Sequence, residues 1–200
     1  EDAARTDLGA FVEGDLPLAG DRLTFTAGLR GDHVTTENTG GYFGDRSTSD
    51  GALSGFATLT WALAREWSLS AQYSRGFRDP TLSDRYFRGV SGRGFVVGNP
   101  DLVAETSNQW DLSLRGRSGL VSLGLSGYVY RIEDLVERYR QGNDYYFRNR
   151  GEAEIAGVEV EADVRVAPRL VVRVLGSLSQ GRILDDGTWA PDIAPPTLQL

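Results

Sequence analysis

Apolar and polar side chains alternate along most of this chain. A period of two is the signature of strands with one greasy and one wet face. Over residues 67–78 the odd positions Trp67, Leu69, Ala71, Tyr73 and Phe77 oppose Ser68, Ser70, Gln72 and Ser74. Leu23, Phe25, Ala27 and Leu29 oppose Thr24, Thr26 and Arg30; Trp110, Leu112 and Leu114 oppose Gln109, Asp111, Ser113 and Arg115. Val158, Val160, Ala162, Val164 and Val166 oppose Glu159, Glu161, Asp163 and Arg165. Eight such segments are predicted, at 6–15, 22–33, 52–62, 67–78, 106–116, 120–131, 145–166 and 170–183, with a ninth beginning at Thr197.

The links between them alternate in length. Short ones fall at 16–21, 63–66, 117–119 and 167–169, long ones at 34–51, 79–105, 132–144 and 184–196. An antiparallel up-and-down meander with short turns at one end and long loops at the other is the layout of an outer-membrane barrel. Only 134–140 reads as a possible helical turn. Ten residue steps from Trp67 to Phe77, tilted by about 40°, cover roughly 25 Å, the height of an outer-membrane apolar band. Trp61, Trp67, Phe77 and Trp110 sit on apolar faces as a membrane girdle would. A soluble sandwich or ligand-binding barrel shows the same alternation with its apolar face inward.

Composition removes several classes. No apolar run is long enough for a transmembrane helix, which leaves a strand-built membrane wall open. There is no cysteine, and the net charge of −7 argues against a nucleic-acid surface. The single histidine, His33, has no evident nucleophile partner, so the chain is not read as an enzyme. Asp185-Asp186-Gly187 reads as a turn rather than a metal loop. Neither a metal nor a cofactor is expected.

Three motifs stand in a fixed order. Phe77-Arg78-Asp79-Pro80 closes one strand; Asn99-Pro100-Asp101-Leu102 with Glu105-Thr106-Ser107 opens the next; Asn149-Arg150-Gly151 and the run from Ile155 through Gly157 and Glu159 to Ala162 come later. Together they resemble the C-terminal half of the barrel of TonB-dependent outer-membrane receptors, with Asp79 where that family commonly has alanine and Val103-Ala104-Glu105 where it has Lys/Arg-Pro-Glu. Pro191-Asp192-Ile193-Ala194-Pro195-Pro196 resembles the family's proline-rich lead into a further strand. The motif residues read as structural first. Pro80 and Pro100 cannot donate to a ladder, Gly157 allows close approach, and Glu159, Glu161 and Asp163 belong in a wet lumen.

The resemblance implies that residues 1–200 are part of one 22-stranded transmembrane barrel in the bacterial outer membrane, about eight strands of it, with plug and final strands absent. It implies active import of a scarce, bulky nutrient, energised through TonB by way of the plug. A ferric siderophore is the expected cargo, with haem or cobalamin as alternatives and a passive porin as another class. Arg85, Tyr86, Arg88, Arg93 and Phe95 form a basic, aromatic loop suited to an anionic ligand, through charge-assisted hydrogen bonds and ring contacts. Solvated or lipopolysaccharide-bound arginines are the bland alternative. No histidine lies in 81–98 to ligate haem, and Tyr86 is the phenolate alternative.

Overall fold

The computed structural model describes every residue except Glu1, Asp21, Arg93, Pro191 and Asp192. Nine antiparallel strands form one sheet: β1 (Asp2–Leu18), β2 (Leu23–Thr39), β3 (Arg46–Ala64), β4 (Trp67–Arg78), β7 (Glu105–Ser118), β8 (Val121–Glu133), β11 (Ala153–Ala167), β12 (Leu170–Ile183) and β13 (Thr197–Gln199). The long connections carry a short helix, α1 (Leu82–Tyr86), and a four-stranded sheet of β5 (Arg88–Ser91), β6 (Gly94–Val97), β10 (Asp144–Asn149) and β9 (Val136–Gln141), in that order. Within it β6 and β10 run parallel.

The main sheet is the predicted meander; β1, β3 and β7 run two or three residues further into the short turns than predicted, and the larger departures lie at the loop end. The segment 145–166 is two strands, because Gly151 takes a left-handed φ of +43° and turns the chain between β10 and β11. Residues 134–140 form strand β9 rather than a helical turn; a glycine at positive φ, Gly142, closes a hairpin that pairs Tyr139 with Tyr146. Most of 34–51 is not loop: β2 and β3 stay paired as far as Asn38 and Arg46. Alternation stops marking strands there, since both faces above the apolar band are polar. The loop 79–105 holds α1, which starts with a reciprocal Thr81–Asp84 capping box.

Register defines the two faces. Leu16, Phe25, Leu59, Ala71, Leu112, Gly127, Val158 and Leu178 lie in one row across eight strands, on the same side. Leu112 and Val158 are about half exposed, at 55% and 51%, so this face is not a sealed interior. Glu159, Glu161 and Asp163 pair with Ser126, Gly124 and Ser122 on the opposite, polar face.

The apolar band slides along this register. In β1 it reaches Leu8, eight residues above the row; in β12 it ends at Leu178, in the row itself, with Gln180 next on that face. Eight residues over seven strand steps, at about 3.3 Å per residue and 4.8 Å per strand, keep the band level only if the strands tilt by about 40°. Transmembrane barrels tilt their strands by this much.

At the short-turn end Trp61 pairs with Leu23 and Leu69, and the Trp67 ring covers Gly116, where a Cβ would come within 2.2 Å of it. At the loop end Tyr73 and Trp110 meet with ring centroids 5.4 Å apart. Phe77 is displaced from the expected girdle: Arg75 stands between it and Tyr73 on that face, so the continuous apolar run of β4 ends at Tyr73.

The compact core is at the loop end. Val34, Tyr86, Val96, Leu102, Ala153 and Ile183 are the buried hydrophobic residues among those described.

Candidate functional site

The loops after β4, β8 and β12 are fastened into one cap over the polar face at its upper end. Arg85 is the central fastening, at 1% side-chain exposure. Its Nη2 reaches Asp79 at 3.1 Å and Asp50 of β3 at 3.5 Å, and its Nη1 donates to the Pro100 carbonyl at 3.2 Å. Asp79 also accepts from Arg5 of β1 at 3.0 Å. Burial pushes the Asp79 carboxyl up, against the pull of Arg85 and Arg5. Asp50 and Arg5 belong to polar-face rows, so this anchorage places the loop inside the curve of the sheet.

The motif residues continue the same network. Arg78 holds Glu105, whose other oxygen accepts from the Val136 backbone. Asn99 donates to the Phe147 carbonyl at 3.1 Å and accepts from the Asp101 N–H at 3.0 Å. Asn149 accepts from the Val103 N–H at 3.0 Å and donates to the carbonyls of Val103 and Asp134, at 3.0 and 2.7 Å. Leu102 is buried beneath them. Arg150 bridges Glu137 and Asp186, at 2.5 and 2.7 Å. The Asp186 carboxyl is held at about 2 by the Thr188 hydroxyl and N–H and then by Arg150. Position 151 suits glycine through its φ, and a Cβ there would also displace the Asp185 carboxylate, 1.5 Å away. Gly157 lies against the Tyr128 ring, and a Cβ would sit 2.5 Å from its hydroxyl. Most of these contacts join loops to strands; that of Gly157 is between β11 and β8 of the main sheet.

The predicted ligand loop divides in two. Arg85 and Tyr86 are buried, Arg85 in the ion-pair network and Tyr86 with its ring 6.1 Å from that of Phe43. Neither offers surface to a ligand in this conformation. Arg88 is exposed, with its guanidinium 4.3 Å from the Tyr42 ring centroid and 5.2 Å from that of Phe95. No carboxylate partners Arg88 among the described residues. Arg93 lies outside the described residues, as do Pro191 and Asp192 of the proline-rich motif. On the same face of the small sheet, two and three strands from Arg88, Tyr146 and Tyr139 pack at 6.0 Å and Arg148 stacks on Tyr139 at 4.6 Å.

Tyr42, Tyr139 and Tyr146 were missed by sequence reasoning. The one available signal was a tyrosine flanked by Gly40, Gly41 and Gly44, three glycines at positive φ in a loop tip. His33 lies away from this surface, on the apolar face opposite Leu8, with Nε2 3.2 Å from the Ser49 hydroxyl. Among the described residues no group of three His, Asp or Glu is placed to hold a metal ion.

Comparison with known proteins agrees with this architecture. A family model described as TonB dependent receptor-like, beta-barrel, matches residues 1–198. The vitamin B12 transporter BtuB of Photobacterium profundum is 31% identical over 114 residues, 52% of this chain and 18% of that protein. The copper transporter OprC superposes with a TM-score of 0.85 at 24% identity, over 98% of this chain and 32% of its own. The ferric yersiniabactin uptake receptor FyuA of Yersinia pestis does so with a TM-score of 0.73 at 20% identity, over 98% of this chain and 30% of its own. The chain spans about a third or less of each of these proteins.

Proposed function

This chain belongs to the TonB-dependent receptor β-barrel family of the bacterial outer membrane, and from that premise we propose that it is wall and outer loops of an active importer of a bulky anionic chelate, most simply a ferric siderophore. The family is one of transporters and receptors, not enzymes. Residues 1–200 contribute one continuous piece of barrel. The apolar face meets lipid, the polar face lines the lumen, and TonB acts through the plug of the complete receptor.

The observation that carries the cargo class is Arg88. Its charge is uncompensated by any described carboxylate and it is flanked by the Tyr42 and Phe95 rings, whereas Arg85 and Arg150 of the same cap are spent on internal ion pairs. A guanidinium framed by rings suits an anionic, partly aromatic ligand. Cobalamin is the second reading, favoured by the 31% identity to a vitamin B12 transporter.

The test is ligand affinity of the complete receptor. Arg88→Ala removes one charge-assisted contact, which predicts about tenfold weaker binding of a ferric siderophore. Arg173→Ala, paired with Asp163 at 2.8 Å near the short-turn end and away from the cap, is the control with little effect. Unchanged affinity in the Arg88 variant discards the anionic-chelate reading, and binding of cyanocobalamin in place of every ferric chelate tried selects the second.

A further inference from the structure

We propose that the outer wall carries a seat for one phosphate-bearing lipid of the surrounding leaflet, with its headgroup at Arg75 and Asn108 and an acyl chain in the recess below them. Two independent features of the apolar face converge there.

The first is polar. Directly above the Tyr73–Trp110 pair, Arg75, Asn108 and Arg131 stand side by side on β4, β7 and β8. Neighbouring strands are about 4.8 Å apart, so the three span about 10 Å, the width of a phosphorylated headgroup. Arg75 has no carboxylate partner among the described residues. The Tyr73 hydroxyl donates to Asn108 Oδ1 at 2.7 Å, which turns the Asn108 amide N–H groups to other acceptors. Acidic groups are close but engaged: Glu154 pairs with Arg131 at 2.9 Å, and Glu133, one step higher, accepts from Thr106 at 3.2 Å. The unspent charge of the trio is that of Arg75. Arginine with an amide donor is a phosphate-recognising combination.

The second feature is apolar. Small residues, Ala71 and Gly127, floor a recess of about 600 Å³ in the same face, walled by Phe25, Leu59, Tyr73 and Trp110. Arg75 follows Ala71 by four residues on β4, about 13 Å along the strand. A headgroup held at Arg75 thus drops its chain into the recess. Neither feature depends on which nutrient the receptor carries, so the seat stands or falls apart from the cargo.

The experiment is intact-mass analysis of the complete receptor in detergent, with phosphatidylglycerol or with diacylglycerol of the same acyl chains. Phosphatidylglycerol is expected to be retained in preference. The double variant R75Q/N108A should lower its occupancy about tenfold. Gly127→Val, whose Cβ would meet only the Gly157 carbonyl at 3.8 Å, fills the recess without touching charge and should lower occupancy of both lipids. Equal retention of the two lipids overturns the proposal, as does full retention in either variant. Displacement by millimolar inorganic phosphate with no effect of Gly127→Val makes it a free-anion site and overturns it too.

Discussion

Asp79 stands where the family commonly has alanine, and its surroundings explain the exchange. It is almost fully buried between Arg85 and Arg5, the first of them equally buried. Removing one member of a buried ion pair strands the other in a dry site. Asp79→Ala should therefore cost the loop cap about 3 kcal/mol, read as faster tryptic cleavage within 80–104 of the complete receptor. Arg85→Met, which removes the buried charge at similar length, should be milder than Arg85→Ala. If Asp79→Ala leaves cleavage unchanged, the anchor role of this pair is wrong. Arg88 lies three residues on from Arg85, yet its side chain stays on the exposed surface of the cap and keeps its charge available.

Among the elements, the turn after β12 has its own pH signature. The Asp186 carboxyl is held at about 2, below its ordinary 3.8, by Thr188 and then Arg150. A depressed carboxyl stabilises the fold above the unfolded value, and that contribution is lost as pH falls from about 4 through about 2. Amide exchange in the 185–188 turn should show it: Asp186→Asn should expose Thr188 at pH 5, with the difference from the parent mostly gone by pH 2. A difference undiminished at pH 2 removes the carboxylate from the explanation. The turn matters because Arg150 ties it to Glu137 of β9, reinforcing the 2.8 Å backbone bond from the Leu184 N–H to the Glu152 carbonyl that joins the two outer loops.

For the whole molecule the central question is which face meets lipid, and one residue pair decides it. Ala162 lies mid-band on the apolar face, between Leu123 and Val174, and Ser126 lies opposite Glu159 on the polar face. Ala162→Arg should destabilise the complete receptor in lipid by about 2–4 kcal/mol, while Ser126→Arg, facing water and a carboxylate, should cost little. Urea unfolding from lipid bilayers measures both, and the reverse order inverts the barrel. The strands, their order and their two faces were legible in the residues alone, because a chain that alternates with period two has one way to satisfy both greasy and wet surroundings. The motif order Phe77-Arg78-Asp79-Pro80, Asn99-Pro100, Asn149-Arg150-Gly151 likewise pointed to the family. The cap was not legible. Above the band neither face is apolar, so alternation ran β10 together with β11 and missed β9 and the extended ends of β2 and β3. Whether an arginine becomes a buried anchor, as Arg85 does, or a free contact, as Arg88 does, depends on partners far off in the sequence, Asp50 for the first and Tyr42 for the second. Only the folded chain brings those groups within reach, because ion pairs and ring contacts act over a few ångströms in space and not along the sequence.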